Sequence, residues 1–79
     1  MMPEGDNQRV VGIKQTLKAL KKYECKVVYI AREADKHLVQ PIIDLAESKA
    51  IDIVYMDTMK ELGEFCRIDV GAAAALELK

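Results

Sequence analysis

Two short runs of β-branched and aromatic residues, KVVYIA at 26–31 and IDIVYM at 51–56, constrain this chain most. Apolar runs of this length are expected of strands that are covered on both faces. A stretch of helical period precedes the first run, and another separates the two. A strand, a helix and a second strand imply a right-handed crossover, with helices packed on the sheet. The expected fold class is therefore α/β.

The first helix is expected from Gly12 to about Tyr23 or Glu24. Ile13, Leu17 and Leu20, spaced i, i+4, i+7, form an apolar stripe. Lys14, Lys18, Lys21 and Lys22 form a second stripe about 120° around the helix. Gly12 serves as N-cap, with Gln15 placed to reach back to it. Arg9 to Val11 is expected as a short edge strand, and residues 1–8, MMPEGDNQ, as a flexible tail ahead of a single domain at 9–79.

Asp35 is a plausible N-cap for a second helix over 36–50, with Leu38, Ile42, Leu45 and Ala46 on one side. Pro41 should kink that helix or split it, because it lacks a backbone donor. Thr58 and Glu61 fit a capping box opening a third helix to about Phe65, with Met59, Leu62 and Cys66 at core spacing. The alanine-rich end, 72–79, is ambiguous. Its propensity slightly favours helix, yet so short a helix is marginal alone, and small residues also suit a central strand.

At 79 residues one domain is the expectation, and 51% hydrophobic residues suffice for one core. That core must be mainly aliphatic, since Phe65, Tyr23, Tyr29 and Tyr55 are the only aromatics. The longest apolar run is too short to span a bilayer and the start lacks the order of a secretion signal, so a soluble cytoplasmic protein without membrane contact is expected. Cys25 and Cys66 form no metal or redox spacing and read as reduced core residues; His37, the lone histidine, reads as a surface residue. No nucleophile motif, zinc motif, phosphate loop or dinucleotide turn is present. No enzyme activity, cofactor or metal is expected.

Charge is more informative in its placement than in its sum. The net value is −1, but residues 9–26 carry six bases against Glu24 alone, a local +5. Such a block can make a positive patch on a nearly neutral protein. Lys14 also stands in the first turn, where it costs a few tenths of a kcal/mol against the helix dipole. It can be a merely tolerated surface lysine. Alternatively, free backbone N–H groups, the dipole and lysines converge there on an anion, and the lysine stripe extends that site along a polymer of phosphates. Gln15 both donates and accepts, as a base edge requires.

The segments GIKQTLKAL, VVYIAREAD and LAESKAIDIVYMDTMKELGEFCRIDVGAAA, in that order, resemble the kink-turn RNA-binding superfamily of ribosomal proteins L7Ae and L30e, and are most similar to its small bacterial YbxF-like branch. The resemblance covers about residues 9–78. It implies a three-layer α-β-α sandwich on a four-stranded mixed sheet, and so a strand at the alanine-rich end. It also implies a non-enzymatic, monomeric protein whose partner is RNA with a kink-turn, either ribosomal or in structured mRNA.

The family's usual helix-one motif is Gly-x-Asn-Glu-x-x-Lys. Gly12 and Lys18 match it, with Lys14 and Gln15 in place of Asn and Glu. By resemblance, Lys14 and Gln15 would meet guanine edges at sheared G·A pairs, and Lys18 would meet phosphate or guanine, with Lys21 farther along the same stripe. The usual loop before the last strand, Ile-Glu-Val-Pro-Ala, reads here Ile68, Asp69, Val70, Gly71, Ala72. Ile68 and Val70 would pack against extruded nucleotides; otherwise they cap the core. Gly71 in place of proline should make the loop more mobile. Arg32, in the Arg-Glu-Ala-Asp turn, would line the same end. The competing reading is a small α/β interaction module whose basic helix docks an acidic protein.

Overall fold

The computed structural model describes residues 8–79. Its elements follow the order β1 (Arg9–Val11), α1 (Ile13–Lys22), β2 (Cys25–Ala31), α2 (Lys36–Ser48), β3 (Asp52–Met56), α3 (Met59–Phe65) and β4 (Ala74–Leu78). The sheet order is β1-β4-β2-β3. β4 runs antiparallel to both β1 and β2, while β2 and β3 are parallel across the α2 crossover. This is the expected mixed four-stranded sheet.

Strand alternation divides the layers. Val28 and Ile30 are buried on the face that carries α1 and α2, which pack on each other. Tyr29 points to the opposite face, where its ring meets Phe65 of α3 at 4.8 Å between centroids. Lys49 donates its ammonium to the Leu20 carbonyl, tying the end of α2 to the end of α1. The core centres on Leu20, Val28, Ile30, Ile42, Leu62 and Leu76.

Several local expectations give way to tertiary ones. The alanine-rich end is a strand and not the helix its propensity favours. Ala74, Ala75 and Leu76 are fully buried between β1 and β2, so pairing on both sides overrides a weak helical preference. In α1 the buried residues are Thr16, Ala19 and Leu20, whereas Ile13 and Leu17 are only partly covered. In α2 Val39 is buried and Leu38 is 54% exposed. Met59 of α3 is exposed, and Leu62 holds that helix to the core.

α2 runs through Pro41 without splitting. Pro41 lies on the exposed side, where one lost backbone bond is tolerated. Asp35 caps α2 as expected, accepting from His37 N at 2.8 Å. Thr58 Oγ1 caps α3 through Glu61 N at 3.0 Å, and the neighbouring donor, Met59 N, goes to Glu33 Oε1 at 2.7 Å. Gln8, assigned to the tail by sequence, gives its carbonyl to Leu78 N at 2.9 Å and extends the β1–β4 ladder. The rest of the expected tail lies outside the described residues.

Candidate nucleic-acid interface

α1 begins where β1 ends, and Gly12 makes the corner. Its φ is 109°, a region that favours glycine. Its N–H donates to Ala74 O at 2.9 Å, so the head of α1 is bonded to the first residue of β4. That bond also corrects the expected cap: no side chain caps α1, because the Gly12 donor that Gln15 was to take already serves β4. Gln15 folds over Gly12, close enough that a Cβ there would stand 2.6 Å from Gln15 Oε1. Lys14 and Gln15 are exposed, and no acidic residue occupies the first turn.

The segment before β4 is held against α3. Ile68 N donates to Gly63 O at 3.0 Å and Ala72 N to Met59 O at 3.0 Å. A Cβ on Gly63 would stand 2.1 Å from Val70 O, so only glycine lets the loop lie this close. A glycine inside a helical pattern, where it costs about 1 kcal/mol, is the sequence signal that could have marked Gly63. Gly71 rests on Met59, with little room for a side chain.

The remaining bonds close the ring. Ala31 N donates to Ala73 O at 3.0 Å, and Arg32 N to Met56 O at 2.7 Å. The head of α1, the loop at 68–72 and the turn at 32–35 thus share one end of the sheet. Of the sequence-assigned residues, Lys14, Gln15, Lys18, Lys21, Arg32, Asp69, Val70 and Gly71 are exposed. Gly12 and Ile68 are partly covered, with Ile68 packed on the core and Val70 70% exposed, so the two apolar loop residues divide between core and solvent. Ala72 is buried and its N–H is already bonded, so it shapes the loop from beneath. Lys21 lies about 10 Å along the helix from Lys14, away from the shared end.

The carboxylates near this end are largely occupied. Glu33 and Asp35 accept from backbone donors, and Asp57 stands 3.6 Å from Arg32 Nε in an exposed pair. Lys14 and Lys18 form no ion pair among the described residues. At the far side of the sheet, Arg9 bonds Glu77 at 2.7 Å and lies over the Phe65 ring. The Arg9 guanidinium holds the Glu77 carboxyl below its ordinary range. Burial raises both thiols, Cys25 and Cys66, which are free. Among the described residues no cluster of His, Cys, Asp or Glu suits a metal ion, and no helix is long and apolar enough to cross a membrane.

Comparison with known proteins agrees with this architecture. A protein of Caldanaerobacter subterraneus subsp. tengcongensis named as an RNA-binding protein is 58% identical over 73 residues, covering 90% of this chain and 87% of its own. The RNA-binding protein YbxF of Geobacillus stearothermophilus is 39% identical over 70 residues, covering 89% of this chain and 85% of its own. The solved structure of the Giardia lamblia 15.5kD RNA binding protein superposes with a TM-score of 0.83 at 25% identity, over 91% of this chain and 61% of that one. A family profile, that of the ribosomal protein L7Ae/L30e/S12e/Gadd45 family, matches residues 5–79. The chain belongs to this family, which is non-enzymatic.

Proposed function

We propose that this protein binds RNA and recognises kink-turns, without catalysis, through the head of α1 and the loop before β4. The observation that carries this reading is the bond from Gly12 N to Ala74 O, which joins two segments more than fifty residues apart into one exposed end. The relatives named as RNA-binding proteins support the general part of the reading. Lys14 and Gln15 read guanine edges at the sheared G·A pairs, where paired donors and acceptors discriminate between bases. Lys18 neutralises phosphate, and Lys21 adds a weaker, salt-sensitive contact along the helix. Val70, with Ile68 beneath it, supports unstacked loop nucleotides, and Arg32 closes the turn side. The RNA is ribosomal RNA or structured mRNA, and the protein stabilises its bent form by binding that form more tightly.

The test is a titration against a labelled kink-turn and against the same RNA without its G·A pairs. A marked preference for the intact motif is expected. Equal affinities defeat the specific reading, and binding to neither RNA, with purified protein free of excess absorbance at 260 nm, favours an acidic protein partner for the lysine face.

A further inference from the structure

We infer that the cleft between α2 and the edge strand β3 is a second RNA contact, which takes an unpaired nucleotide flanking the bound motif. The inference rests on the RNA-binding reading above and shares Arg32 with it; its other residues are ones that reading does not use. The cleft has a volume of about 520 Å³, and Ile30, Val39 and Ile43 form its apolar wall. That is within the range of small-ligand sites.

Its charged groups are of one sign. Arg32 and Lys36 are the charged residues that line it. The neighbouring carboxylates Glu33 and Asp35 are turned to the backbone donors of Met59 and His37 and do not line it. Asp57 pairs with Arg32, but both side chains are largely exposed, so water and salt screen the pair. Cations on an apolar wall suit a ligand that combines an anion with a flat apolar body.

The mouth supplies the flat surface. The Arg32 guanidinium lies 5.2 Å from the centroid of the Tyr55 ring, and Tyr55 is 42% exposed. Tyr55 pairs in register with Ile30, which places its ring on the α2 side of the sheet. An aromatic ring and a guanidinium plane are the groups on which single-stranded bases stack. Lys36, at the start of α2, then lies on the same cleft for the phosphate. Arg32 also borders the shared end of the sheet, so the cleft adjoins that end.

The test compares a blunt kink-turn with the same RNA carrying a five-nucleotide unpaired uridine extension on either strand, titrated with wild type, Tyr55→Ala, Tyr55→Phe and Lys36→Ala. For wild type one extended RNA should bind about tenfold more tightly than the blunt one, the order expected for one stacked base. Tyr55→Ala and Lys36→Ala should lose most of that gain while binding the blunt RNA as before, and Tyr55→Phe should keep it. Equal binding of blunt and extended RNA by wild type overturns the inference, as does a gain that survives Tyr55→Ala. Failure to bind even the blunt RNA overturns the kink-turn reading instead. In that case cross-linking with 5-bromouridine-labelled single-stranded RNA decides the cleft alone: adducts at Tyr55 or α2 support it, and adducts elsewhere reject it.

Discussion

Gly63 and Val70 approach so closely that a methyl group on the glycine would stand 2.1 Å from the valine carbonyl oxygen. The loop before β4 takes its position from that contact and from the Ala72 and Ile68 backbone bonds to α3. Gly63→Ala should therefore push the loop off α3, even though alanine favours a helix by about 1 kcal/mol. The expected result is a lower urea midpoint and weaker binding to RNA. A variant that is stabilised and binds as wild type would show that the loop position does not depend on this glycine.

Lys14→Ala and Gln15→Ala should each weaken kink-turn binding by about 1–3 kcal/mol and reduce discrimination against RNA without G·A pairs, whereas Lys21→Ala should chiefly lower the salt dependence. Affinities measured over a series of salt concentrations separate the two effects. Uniform losses in all three variants would mean that α1 reads only phosphates.

Thr16 is fully buried in α1, and its hydroxyl has no hydrogen-bond partner among the described residues. A buried hydroxyl left unpaired costs about 1–3 kcal/mol, and valine has nearly the same shape. Thr16→Val should be more stable than wild type by about 1 kcal/mol in denaturant titrations, with RNA binding unchanged. A destabilised variant would show that the hydroxyl is paired in solution.

The Arg9 bond lowers the Glu77 carboxyl, with burial acting against it to a smaller extent. The folded protein thus holds this proton less tightly than the unfolded chain. The contribution to stability is complete well above the ordinary carboxyl value of about 4.3 and is lost as the pH falls through the lower folded value. Wild type should exceed Glu77→Gln in thermal stability at neutral pH, and the difference should shrink in acid. A difference that is constant with pH would contradict the pairing.

Much of this structure was legible where local and global preferences agree. KVVYIA and IDIVYM are strands, and Asp35 and Thr58 are caps, because side chain, spacing and context favour the same state. The alanine-rich end was legible only through the family resemblance, since its burial between β1 and β2 depends on partners about fifty and seventy residues away. Leu38 and Met59 fit a helical stripe yet face solvent, because periodicity gives a face without fixing which edge of it the sheet covers. At the site, the family motif named Lys14, Gln15 and the 68–72 loop. It could not reveal that the Gly12 donor serves β4, nor that Glu33 reaches Met59, since both bonds exist only once the chain has closed.

Backbone amide shifts recorded while a kink-turn RNA is added test the central claim most directly. Large changes are expected together at 12–18 and at 68–73, with those at Lys21 and Lys22 smaller. Changes confined to one of the two segments, or centred on the Arg9–Glu77 side of the sheet, would contradict a single RNA-binding end.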